Sequence, residues 1–149
     1  MKKILLVLIA FFISFNLSSC TNEPDRIWYD TVDDAIHHGL LDMGAFEIRR
    51  LSVDEETLFL YKLNDADAIG LASVTTSDKG YSWYQGISPF SSPFIQLNYK
   101  TESNNVIRLT IGKASDETSK EIILEGKSRK YNLDVVNGYY IGIDIEPFY

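Results

Sequence analysis

The 149-residue chain carries few side chains able to do covalent or metal chemistry. It has one thiol, Cys20, and two imidazoles, adjacent at His37 and His38. Neighbours on a helix point about 100° apart, whereas a metal wants ligands converging from several elements or from positions i and i+4. The pair reads instead as two polar residues in the last turn of a helix, where partial positive charge complements the helix dipole. Acidic groups gather at Asp54-Glu55-Glu56, at Asn64-Asp65-Ala66-Asp67 and at Asp144 and Glu146. Paired carboxylates act as general acid and base only in a cleft that separates their pKa values. Lying between two strands, Asp54-Glu55-Glu56 reads as a solvated charge run. Asn64–Asp67 has the oxygen-rich start of a calcium loop, but Ala68 and Ile69 stand where further ligands belong, so a hairpin turn is expected. Asp144 and Glu146 alternate with Ile143 and Ile145, the pattern of a half-buried strand. Lys127-Ser128-Arg129-Lys130 reads as a solvated hairpin tip. There is no Gly-x-Ser-x-Gly elbow and no phosphate-cradling glycine loop. We therefore expect no catalytic, cofactor or metal site and no enzyme activity.

The densest candidate for recognition is aromatic. Tyr81, Trp83, Tyr84, Phe90 and Phe94 fall within fourteen residues around a Gly/Ser/Pro-rich stretch. Exposed, such a group stacks on a glycan or peptide or docks a partner protein; buried, it is core. Strand alternation puts Tyr81 and Trp83 on one face and Tyr84 on the other.

The chain opens Met-Lys-Lys, followed by an apolar run over residues 4–15 broken only by Ser14. About a dozen residues are too few to cross a ~30 Å hydrocarbon core as a helix, but they suit the apolar region of a signal peptide behind a positive start. Leu17-Ser18-Ser19-Cys20 then resembles the bacterial lipobox: a branched apolar residue, two small residues and a cysteine. This resemblance implies cleavage before Cys20, a diacylglyceryl thioether on its sulfur and often an N-acyl group of the palmitate type. Two or three acyl chains anchor stably where one does not. With no twin arginine, export by the general secretory route is expected. The lipobox implies an extracytoplasmic place: the outer leaflet of the plasma membrane in a Gram-positive cell. In a Gram-negative cell, Thr21 in place of an aspartate implies the outer membrane. A second resemblance joins Val32-Asp33-Asp34-Ala35-Ile36 to Gly80-Tyr81-Ser82-Trp83 and is similar to small uncharacterised lipoproteins of Bacillus-like bacteria; it implies an address and no activity.

Composition supports one globular domain behind this leader. Hydrophobic residues make up 45% and charged residues 23%, neither a disordered nor a membrane-embedded profile. Removing residues 1–19 takes away Lys2 and Lys3 and no acid, so the net charge moves from −7 to −9. A domain this acidic repels phosphate backbones and excludes nucleic acid as a partner. With one cysteine, the fold has no intrachain disulfide and must rest on its core. The expected division is residues 1–19 as signal peptide, 20–27 as lipidated cysteine and tether, and 28–149 as one domain.

Within that domain Thr31 can cap a helix over residues 32–38, with Gly39 as its stop. Period-two alternation then predicts strands near 45–51, 57–63, 68–75 and 81–87. After a Ser/Pro loop at 88–93, further strands are predicted at 94–100, 106–113, 120–125 and 139–146, with a short one at 131–133. The expected fold class is α+β, mostly β: an antiparallel meander or sandwich-like sheet with one short N-terminal helix. Expected partners are a membrane through Cys20 and an envelope protein or glycan. Three functional classes remain open: a non-enzymatic binding module, an envelope hydrolase or glycan-modifying enzyme, and an immunity-type lipoprotein that binds one protein.

Overall fold

The computed structural model describes residues 26–146. The expected signal peptide, Leu17-Ser18-Ser19 and the expected lipidation site Cys20 lie outside the described residues.

Helix α1, Val32–Met43, starts where expected. The Thr31 hydroxyl oxygen accepts from the Asp34 N–H at 3.0 Å and donates to the Asp34 carboxylate at 2.7 Å, so the cap is reciprocal within one turn. The helix does not stop at Gly39. It runs on to Gly44, which takes the left-handed conformation (φ 60°) and donates its N–H to the Leu40 and Leu41 carbonyls. Gly39 is a packing glycine: a Cβ there would lie 2.8 Å from the Trp83 ring.

Strands β1 (Ala45–Val53), β2 (Glu56–Leu63), β3 (Ile69–Ser77) and β4 (Gly80–Phe90) form a four-stranded antiparallel sheet in chain order. Strands β5 (Phe94–Lys100), β6 (Val106–Lys113) and β9 (Tyr139–Ile143) form a second antiparallel sheet, ordered β5-β6-β9. Strands β7 (Glu121–Glu125) and β8 (Lys130–Asp134) pair as a separate hairpin. The described residues are thus mostly β, with three antiparallel sheets and one helix.

Alternation along β2 explains the layers. Leu58 and Leu60 point into a core shared with Leu71 of β3, Leu109 and Ile111 of β6 and Ile141 of β9, which packs the two larger sheets face to face. Phe59 and Tyr61 point the other way, against Ala35 and Ile36 of α1 and Val74 of β3. Phe59, Leu58 and Leu71 are fully buried, each contributing roughly 1.5–3 kcal/mol of transfer free energy.

Three strands differ from expectation. In β1 the register shifts between Glu47 and Arg49, so Ile48 and Leu51, three apart, reach the same core. Strand β4 continues through Ser88, Pro89 and Phe90, leaving only residues 91–93 as the corner between sheets. Proline is accepted there because β4 is an edge strand and its pairing with β3 is already irregular. Strand β9 ends at Ile143: Asp144 adopts φ 53° and turns the chain, so Asp144 and Glu146 do not share a strand face. Ile145 folds back over Gly142, and Gln96 Nε2 donates to the carbonyls of Ile145 and Glu146 at 3.2 and 3.3 Å.

The hairpin turns sort into two ends. The Asp54 and Asn105 turns meet at one end, through Asn105 Nδ2 donating to Asp54 at 2.8 Å. At the opposite end Asp67, from the turn after β2, bonds Lys113 at the end of β6 and the Tyr139 hydroxyl at the start of β9.

Candidate functional site

The five aromatic residues do not form one surface. Tyr81 and Trp83 pack on the helix side of β4 with the core beneath α1. Tyr84 faces between the sheets, and Phe90 packs at the edge of the inter-sheet core. Phe94 alone remains on an open surface, 44% exposed.

Phe94 lines a groove of about 310 Å³ with Pro93, Lys113, Ile123, Leu124 and Tyr140, and Glu125 at its rim. Register builds it. Phe94, Gly112 and Tyr140 stand side by side across β5, β6 and β9. Glycine is needed in the middle, because a Cβ at Gly112 would lie 2.3 Å from the Tyr140 hydroxyl. The Tyr140 ring therefore lies across the sheet as the floor, and burial pushes its phenol pKa upward. Strand β7 forms the far wall, with Ile123 62% exposed. Such a groove offers apolar contact flanked by one cation and one anion; it holds no nucleophile paired with a base. Ile123 was not singled out in the sequence. Its signal was the unbroken apolar run Ile122-Ile123-Leu124, where alternation turns the middle residue to the face opposite its neighbours.

The second feature is a buried polar centre at the Glu102 end. Glu56 is 3% exposed, which corrects its reading as part of a solvated charge run. Its carboxylate accepts from Ser73 Oγ at 2.6 Å and from the Tyr84 hydroxyl at 2.8 Å, and also from the Glu102 backbone N–H. The Tyr99 hydroxyl donates in turn to Tyr84 at 3.2 Å. Burial is the main cause pushing the Tyr84 and Tyr99 phenols above their ordinary range. A serine bonded to a carboxylate can in principle be a nucleophile. Here Ser73 is completely buried, so no substrate reaches it; the centre ties β2, β3, β4 and the turn after β5 together. Asp54 and Glu55 remain exposed, as expected for a turn.

The third feature is the entering chain. Arg26, expected to be tether, is already fastened: its guanidinium donates to both Glu102 oxygens, one at 2.8 Å, and holds that carboxyl below the usual carboxylate range. Tyr29 and Tyr81 exchange backbone hydrogen bonds of 2.8 and 2.9 Å, and the Tyr29 ring stacks on His38 at 4.7 Å. Thus one histidine supports this strap, while His37 is exposed on the outer side of α1.

No family model, no curated protein and no solved structure matches the chain. Function is therefore read from its own residues. Among the described residues no helix is long and apolar enough to cross a membrane, and no group of three or more His, Cys, Asp and Glu could hold a metal ion. Asp67 is engaged in ion pairs with Lys62 at 2.9 Å and Lys113 at 3.4 Å. Lys127, Ser128 and Arg129 form the tip between β7 and β8, where the Ser128 N–H donates to Glu146 at 2.7 Å and Lys130 pairs with Glu125 at 2.7 Å.

Proposed function

We propose that this protein is a lipid-anchored, extracytoplasmic binding module without enzymatic activity. The observation that carries the reading is the leader: Lys2-Lys3, the apolar run 4–15 and Leu17-Ser18-Ser19-Cys20, with the chain's only cysteine at the one position the motif requires. Arg26, six positions after Cys20, is already fastened to the fold, so a folded domain stands close behind the lipid. The buried polar site of Glu56 with Ser73 and Tyr84 bonds strands to one another and so serves the fold. The groove at Phe94 and Ile123 is the surface that fits recognition, by an apolar or aromatic side chain of an envelope partner. Its floor and walls come from β5, β7 and β9, which makes it a preformed surface rather than a loop.

The anchor is tested by Cys20→Ala in the producing cell. The variant should lose acyl labelling, remain unprocessed at the signal peptide and be poorly retained in the membrane fraction. Normal processing and retention of the variant would overturn the reading.

A further inference from the structure

We propose that the N-terminal strap orients the sandwich on the membrane, keeping its Glu102 end on the bilayer side and turning its Phe94 groove away from the lipid. This rests on the lipid anchor at Cys20 proposed above.

Among the described residues, both of the strap's attachments to the sheets lie at one end. Arg26 is paired with Glu102 in the turn after β5, and Tyr29 is bridged to Tyr81 at the start of β4. Gly80 makes the second attachment possible: it adopts φ 113°, and a Cβ there would lie 2.3 Å from the Tyr29 carbonyl oxygen. The Asp54, Asp78 and Glu102 turns all belong to this end, because β1, β3 and β5 each finish there. The groove lies at the other end, where β5 begins and β6 finishes.

Chain length then decides which end can face the lipid. Five residues separate Cys20 from Arg26. Even fully extended, six Cα–Cα steps span only about 20 Å. Strand β3, nine residues long, puts roughly 25–30 Å between the two ends. An inverted domain, groove down, would require the connection to run the whole length of the sandwich, which it is too short to do. A domain that keeps its Glu102 end toward the bilayer satisfies it with the connection slack. Electrostatic attraction is not the cause, since Asp54, Glu55 and Asp78 outnumber Lys79 and Lys100 at this end. Orientation comes from where the strap is fastened. The groove consequently opens toward partners in the envelope space rather than toward lipid.

The test uses the full lipidated protein in phosphatidylcholine vesicles whose headgroups carry an energy acceptor. Lipid occupies the Cys20 sulfur, so Asp78→Cys and Asp65→Cys each supply a single thiol for a donor fluorophore, in exposed turns at opposite ends. The label at position 78 should be quenched several-fold more than the label at 65. Inserting a dozen Gly/Ser residues after Thr21 should bring the two close to equality. Equal quenching in the uninserted protein, or stronger quenching at 65, overturns the orientation while the anchor stands. If the lipidated preparation does not associate with vesicles at all, the anchor reading fails and the orientation falls with it.

Discussion

Glu56 shows how a single side chain joins two sheets. Three donors from β3, β4 and the turn after β5 end on one carboxylate. Each buried donor left without an acceptor costs roughly 1–3 kcal/mol. Glu56→Ala should therefore destabilise the domain by about 3 kcal/mol or more. Glu56→Gln should cost less, because one amide oxygen remains and the Ser73 and Tyr84 hydroxyls can rotate to accept from the amide. Urea unfolding of both variants checks the order; equal stability of Glu56→Ala and the parent would remove the proposed role. The position was partly legible in the sequence. Glu56 shares the alternation of Leu58 and Leu60, so its side chain had to face the core once β2 began there. Its membership of an acidic triplet hid that parity.

At the scale of elements, α1 and β4 are matched by shape. Gly39 leaves room for the Trp83 ring, and the helix passes over it without breaking. Glycine normally weakens a helix by ~1 kcal/mol relative to alanine. Gly39→Ala should nevertheless destabilise the protein, by about 1–3 kcal/mol, because the added methyl meets Trp83 at 2.8 Å. Thermal unfolding followed by tryptophan fluorescence reads both the stability and the displaced ring. A rise in melting temperature would show that helix propensity outweighs the contact. The helix start at Thr31 was legible because capping is local. Its end was not, because Gly39 read alone is a stop, and only the partner beneath it makes it a packing residue. Pro89 misled in the same way: it marks a loop by itself and sits in a strand only because β4 is at a sheet edge.

For the whole molecule, titration should be felt most strongly on the alkaline side. Burial raises the phenol pKa of Tyr61, Tyr84, Tyr99 and Tyr140 above the ordinary value of 10.0. A group whose folded pKa exceeds its unfolded one stabilises fully below the unfolded value. That contribution is lost as pH rises toward the folded value. The denaturation midpoint should hold up to about pH 10 and fall steeply above it, with tyrosinate absorbance appearing together with unfolding. Tyrosinate forming well before unfolding would contradict this. On the acid side the sign reverses. Arg26 holds Glu102 below its ordinary value of 4.5, so the strap's contribution is present above that pH and fades as pH falls through the lowered value.

The sequence by itself determined the class of fold. Alternating apolar residues dictate which strands exist, and turn residues dictate where most of them end, because both act between near neighbours. It also holds Leu17-Ser18-Ser19-Cys20, whose resemblance to a lipobox is what the proposed anchor and function stand on. Tertiary structure decided the fate of the aromatic residues. Tyr81, Trp83, Tyr84, Phe90 and Phe94 are close along the chain, yet two sheets and a helix draw four of them into different packing environments and leave Phe94 at an open groove. Whether a large side chain is core or surface depends on what covers it, and the cover comes from residues dozens of positions away. The same holds for Arg26 and Glu102, which only the folded chain brings together.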